Sequence, residues 1–163
     1  MLFEECRVEG DFTLSSGRTS NVFYDFDLLR PREAAEYVEQ LLRQMDPVFD
    51  WNEVDFIAAP AVGGIVPAFL VSFAKDKPLV IIDKEGAPRG PEFQAGNFLV
   101  VDDVITSFSA ANLAIEALPE SNCVGVAAYI FRGSWDDLNK QDYPAYYLAR
   151  KEQETEHAGA TGS

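Results

Sequence analysis

Histidine is almost absent: the chain of 163 residues has one, His157, in a polar C-terminal tail. A Ser-His-Asp or Cys-His arrangement therefore lacks its base, which argues against nucleophilic catalysis of that kind. Cysteine is nearly as scarce. Cys6 and Cys123 stand far apart and match no metal-ligand spacing, so they read as two reduced thiols. Basic residues number 13 against 27 acidic ones, a formal net charge of −14, and so few Lys and Arg cannot coat a nucleic-acid backbone. No nucleic-acid partner is expected, and any anionic ligand must be held by backbone amides, a metal ion and a few local cations. There is no basic-then-apolar leader and no apolar run of membrane-spanning length, so a cytoplasmic protein without a membrane partner is expected.

What is present fits one domain over residues 1–150, with a tail over 151–163 that has neither periodicity nor apolar content and is expected to be disordered. Residues 10–26, GDFTLSSGRTSNVFYDF, alternate apolar residues with Ser, Thr and Gly and predict short strands or a hairpin. RPREAAEYVEQLLRQM, residues 30–45, places Pro31 in a first turn and repeats Ala34, Val38, Leu41, Leu42 and Met45 at helical spacing. Apolar strands are predicted at 55–62, 78–83, 97–104 and 123–131, with an edge strand at 145–149 and helices at 63–74 and 109–118. Residues 84–96, KEGAPRGPEFQAG, predict a mobile loop. Apolar strands separated by helices mark parallel βαβ units. The expected fold is α/β, a doubly wound and mostly parallel sheet, with residues 1–30 forming a small β-containing cap over one edge.

Ligands of such sheets bind beyond the carboxyl ends of the strands, which singles out APAVGG, DKEGAPRG and DDVITSFSA. In the last of these, Asp102 and Asp103 end an apolar run, and alternation along the strand directs at least one of them into the crevice. Adjacent carboxylates there could accept hydrogen bonds from vicinal sugar hydroxyls, coordinate Mg²⁺, or merely open a strand-to-helix loop. Thr106, Ser107 and Ser109 follow at a helix start, where free amides and hydroxyls suit a phosphate and equally suit ordinary capping. Their coupling to the acid pair through Val104 and Ile105 favours the phosphate. Trp51 and Trp135 border predicted elements and read as packing or interface residues.

FLVVDDVIT resembles the signature by which type I phosphoribosyltransferases bind 5-phosphoribosyl 1-diphosphate (PRPP). Three further stretches are similar to the orotate branch of that family: the N-terminal segment around Ser-Gly-Arg, APAVGGIVPA, and AYIFRG. The ordered resemblance runs from about residue 9 to 135. It implies transfer of a phosphoribosyl group from PRPP to a pyrimidine-like base such as orotate, with Mg²⁺ and in a homodimer. By resemblance, Asp102 to Ala110 (Asp102, Asp103, Val104, Ile105, Thr106, Ser107, Phe108, Ser109 and Ala110) hold PRPP. Ala61, Val62, Gly63, Gly64 and Lys84 hold pyrophosphate, and Phe23, Tyr24, Thr106 and Arg132 meet the base. Catalytic roles fall to Lys84, Asp103 and Arg89, and the metal to Asp102 and Asp103, directly or indirectly.

The sequence also departs from the family pattern. In the loop, Asp83 stands where the family has arginine, Ala87 where it has a second lysine, and Arg89 where it has histidine; Ser15 replaces the usual lysine before Ser-Gly-Arg. Lost cations remove stabilisation of a developing phosphate charge, so the other expectation is a noncatalytic PRPP- or nucleotide-binding regulatory protein that keeps the fold. Phe108 stands where the family has glycine. Its ring is expected to leave the phosphate turn and its backbone to avoid positive φ, or else the turn must change shape.

Overall fold

Alternating burial organises the N-terminal hairpin. The structure, a computed structural model, describes residues 2–13, 17, 19–91 and 95–151. Within them β1 (Arg7–Thr13) and β2 (Thr19–Tyr24) pair antiparallel, and β2 buries Ser20, Val22 and Tyr24 while exposing the residues between. The expected amphipathic helix is α1 (Pro31–Met45): Pro31 opens it, and Glu33 Oε1 accepts the Arg30 amide at 2.9 Å. Its Tyr37, Val38, Leu41, Leu42 and Met45 face the core. Ser15, Arg18 and His157 lie outside the described residues, as does the tail beyond Lys151.

The remaining chain alternates strand and helix as β3 (Phe56–Pro60), α2 (Ile65–Lys75), β4 (Leu79–Ile82), β5 (Pro88–Arg89), β6 (Asn97–Ile105), α3 (Ser109–Ala117), β7 (Asn122–Phe131), α4 (Trp135–Asn139) and β8 (Ala145–Arg150). The sheet order is β5-β4-β3-β6-β7-β8, parallel throughout except for β5. Each central strand is buried on both sides. Ile57, Ala59, Leu99, Val101 and Tyr129 pack with α1 and α2, whereas Phe56, Ala58, Phe98, Val100 and Val126 pack with Ala111 and Ala114 of α3. Helices thus cover both faces, which is the doubly wound arrangement.

Two local expectations need correction. The predicted loop 84–96 contains β5, which turns back on β4 with Ile81 opposite Arg89 and Ile82 opposite Pro88. Asp83 makes that turn: its Oδ1 accepts the amides of Glu85 at 3.0 Å and Ala87 at 2.9 Å, while Gly86 takes positive φ. The short helix α4 was not expected, and Ser134 caps it by accepting the Asp137 amide at 3.0 Å. Both cysteines are free thiols, and burial pushes Cys6 up to about 12 and Cys123 up to about 11, which leaves them protonated and unreactive at neutral pH. Trp51 packs on Phe49 and donates to Asp46 at 2.8 Å, as a structural residue would.

Candidate functional site

β6 delivers Asp102 and Asp103 to one cleft of about 260 Å³, and both border it where alternation requires only one. Each carboxylate folds onto the next amide: Asp102 Oδ1 accepts Asp103 N–H at 2.8 Å, and Asp103 Oδ1 accepts Val104 N–H at 2.7 Å. Burial, and then the neighbouring Asp103 charge, hold the Asp102 carboxyl well above the ordinary carboxylate range; burial also raises Asp103. The pair is therefore a desolvated concentration of oxygen donors. Among the described residues, Arg132 is the one cationic side chain bordering this cleft.

The loop before α2 explains its glycines in two different ways. A Cβ on Gly63 would lie 2.4 Å from Asp103 Oδ2, so the bare backbone makes room for the carboxylate. A Cβ on Gly64 would lie 2.7 Å from the Pro60 carbonyl oxygen and 2.8 Å from that of Val101. Gly64 thus serves helix-strand packing and does not border the cleft, although Ala61 and Gly63 do. The peptide joining Ala61 to exposed Val62 is cis.

Val104, Ile105, Thr106, Phe108, Ser109 and Ala110 continue the wall, while Ser107 does not border it and places its Oγ 3.2 Å from that of Ser109. The α3 ladder starts with the Asn112 amide donating to Phe108 O at 2.9 Å, so the amides of the first turn are free of intrahelical bonds. Phe108 corrects an expectation. Its backbone does take positive φ, 67°, and the turn keeps the shape a glycine would give it. Its ring leaves the turn, as expected, and is 2% exposed, 5.8 Å from the Phe131 ring and 6.2 Å from that of Tyr143. A buried aromatic contact offsets a left-handed backbone that costs about 1–2 kcal/mol.

Phe23 and Tyr24 from β2, and Arg132 just past the end of β7 beside Ile105, also border the cleft. Arg132 is 3% exposed; its Nη1 donates to Val22 O at 3.0 Å, and its guanidinium lies 5.2 Å from the centre of the Tyr24 ring. The base-side residues therefore hold one another in place. Thr13, Pro60, Ala111 and Val126 also border the cleft: Pro60 lies in the APAVGG stretch singled out as a strand end, Thr13 had a signal as a polar residue in the alternating hairpin pattern, and Ala111 and Val126 were not anticipated.

Lys84 on the β4–β5 turn and Arg89 on β5 are exposed and do not border the cleft. The structure thus gathers the expected PRPP and base residues, apart from Ser107, and leaves the two loop cations outside.

No protein-family model matches the chain. Orotate phosphoribosyltransferase of Methanospirillum hungatei is 34% identical over 123 residues, covering 71% of this chain and 68% of that protein. The enzyme of that name from Thermus thermophilus is 32% identical over 133 residues, covering 77% and 72%. The chain belongs to the orotate phosphoribosyltransferase family. Solved structures show its fold. Orotate phosphoribosyltransferase from Aeropyrum pernix superposes with a TM-score of 0.77 at 24% identity, covering 89% of this chain and 88% of that one. The Mycobacterium tuberculosis enzyme, solved in complex with PRPP, gives 0.72 at 22% identity and covers 91% of each chain. In this member of the orotate phosphoribosyltransferase family the acid pair, Phe23, Tyr24 and Arg132 border one cleft, as does the divergent Phe108, while Asp83, Ala87 and Arg89 lie on the β4–β5 hairpin outside it.

Proposed function

We propose that the protein transfers the phosphoribosyl group of PRPP to a ring nitrogen of orotate or a similar pyrimidine-like base, releasing pyrophosphate. One observation carries this reading: Asp102, Asp103, the α3 amide turn and the Gly63 loop converge on the same cleft as Phe23, Tyr24 and Arg132. The acid pair accepts ribose hydroxyls, and the turn from Thr106 to Ala110 takes the 5′-phosphate through its amides and hydroxyls. Ala61 and Gly63 present backbone to the pyrophosphate, and Arg132 with the two aromatics orients the base. As the sugar carbon gains positive character, the leaving pyrophosphate gains charge, so donors aimed at it stabilise the transition state more than the ground state.

Mg²⁺ fits the donor set, because desolvated carboxylate oxygens suit a hard cation. Among the described residues there is no group of three or more ligating acids, Cys or His. Asp102 and Asp103 would therefore share the ion with phosphate oxygens of PRPP. When bound it neutralises developing charge on the leaving group. No helix of the described residues is long and apolar enough to cross a membrane. A homodimer is supported by an uncharged helix face on a highly acidic chain, described below.

The exposed positions of Lys84 and Arg89 favour a second reading, a noncatalytic protein that binds PRPP or a nucleotide. A calorimetric titration of PRPP with Mg²⁺, followed by an assay for pyrophosphate release with orotate, separates the two. Binding with turnover is expected; binding without turnover leaves the regulatory reading, and no binding removes both.

A further inference from the structure

We infer that Arg150, on the edge strand β8, is a positioning residue that holds Arg132 in its base-binding place, an inference that rests on the reading of the cleft as a phosphoribosyl-transfer site. Arg150 does not border the cleft. In the β7–β8 register it lies opposite Phe131, and its guanidinium reaches past the end of β7. Nη1 donates to Phe131 O at 3.2 Å and Nη2 to Gly133 O at 2.7 Å. Those two carbonyls flank Arg132, whose own amide donates to Ile105 O at 2.8 Å. The arginine that meets the base is thus fixed by β6 on one side and by a guanidinium fork on the other.

The fork is itself held. Its carbon lies 4.8 Å from the centre of the Phe131 ring and 4.9 Å from that of Trp135, so two aromatic rings fix its direction. The segment it grips has little slack, because a Cβ on Gly133 would lie 1.9 Å from the Thr106 carbonyl oxygen. That contact bars Gly133 from moving toward the phosphate turn, so loss of the fork would shift Arg132 and leave Thr106 in place. Past the last residue of β7 there is no strand ladder to satisfy Gly133 O, and Arg150 supplies that bond. If the fork were removed, Phe131 O would keep the Lys151 amide, which donates to it at 3.0 Å, and water could satisfy Gly133 O, which would keep the fold and lose the grip on the residue after Arg132.

The test is Arg150→Met, which keeps an apolar stem between the two rings, alongside Arg150→Lys, which keeps charge without the planar fork. In the methionine variant KM for orotate is expected to rise about ten- to a hundredfold, as small misplacements of orienting groups do, with PRPP affinity and kcat within about twofold of wild type. Both variants are expected to keep a Tm near that of wild type, and the lysine variant, lacking the planar fork, is expected to share the raised KM. Unchanged KM, or a parallel loss of PRPP affinity and Tm, would overturn the proposal. Amide hydrogen exchange on the unliganded protein gives a readout independent of turnover. Faster exchange in Arg150→Met confined to residues 131–134 supports the clamp, and unchanged or uniformly faster exchange overturns it. If the wild-type protein turns over no base, the transfer reading fails and the exchange result alone decides the role of Arg150.

Discussion

Asp102, proposed above to accept ribose hydroxyls, works against the fold that carries it. Burial and the adjacent Asp103 raise its pKa, so the folded state prefers the protonated carboxyl. The stabilisation from that raised value is fully present only below the ordinary carboxylate range of about 4, and it is lost as pH rises through the folded value. Near neutrality the ionised pair is therefore a burden. Asp102→Asn is expected to raise Tm by roughly 3 °C or more near pH 7, with the difference vanishing by about pH 4, while PRPP binding is lost. Thermal melts across that range, with a PRPP titration on the same variant, check it; a lower Tm near neutrality would mean the carboxylate makes a stabilising contact. The adjacent glycines divide in the same way between function and fold. Gly63→Ala pushes against the end of one side chain, that of Asp103, and should cost about tenfold or more in kcat/KM with little change in Tm. Gly64→Ala meets two backbone carbonyls and should destabilise by about 1–3 kcal/mol in a urea titration.

At the scale of elements, the turn into α3 turns on a balance between backbone and ring. Phe108→Ala removes the buried ring and keeps the left-handed residue, whereas Phe108→Gly removes both the ring and the strain. Both variants should lose about 3–5 kcal/mol for the ring, and the glycine should recover roughly 1 kcal/mol of it, so that Phe108→Gly unfolds at higher urea than Phe108→Ala. A glycine variant less stable than the alanine one would show that the turn is not strained. Sequence alone marked this turn as divergent and assigned it the wrong backbone. The reason is physical: steric rules penalise positive φ locally, but the contacts that outweigh the penalty, Phe131 and Tyr143, come from elements distant in sequence. Central strands were legible as continuous apolar runs and α1 by its 3.6-residue period, both written in consecutive residues. The β4–β5 turn was not, since two strand residues between Gly and Pro leave no period to read; its signal was the Asp83 carboxylate, which the sequence reading weighed only as a missing cation. The cleft was legible where a strand end adjoins a helix start or a glycine loop in the chain, and illegible where Val126 closes it from within β7.

At the scale of the molecule, α2 and the turn before it carry Val62, Val66, Phe69 and Phe73 in one exposed line, with Phe73 81% exposed. From Ile65 to Ala74 the helix has no charged residue, on a chain whose formal net charge is −14. Two such acidic copies repel over most of their surfaces, and this uncharged apolar face is where that repulsion is weakest and the gain from burial largest. Most soluble oligomers are assemblies of identical chains, and a face that is apolar throughout can pair with itself across a two-fold axis. Val62 also lies between Ala61 and Gly63, which border the cleft, so the same contact would tie dimerisation to the loop proposed to hold pyrophosphate. Phe73→Glu puts a charge at the exposed end of the line and is expected to convert a wild-type dimer to monomer in sedimentation equilibrium at micromolar concentration. Because Phe73 is mostly exposed in the single chain, the variant should keep its far-ultraviolet circular dichroism. High salt should tighten the wild-type dimer by screening the net charge, and a wild-type chain that stays monomeric in high salt would show that the α2 face does not pair with a second copy.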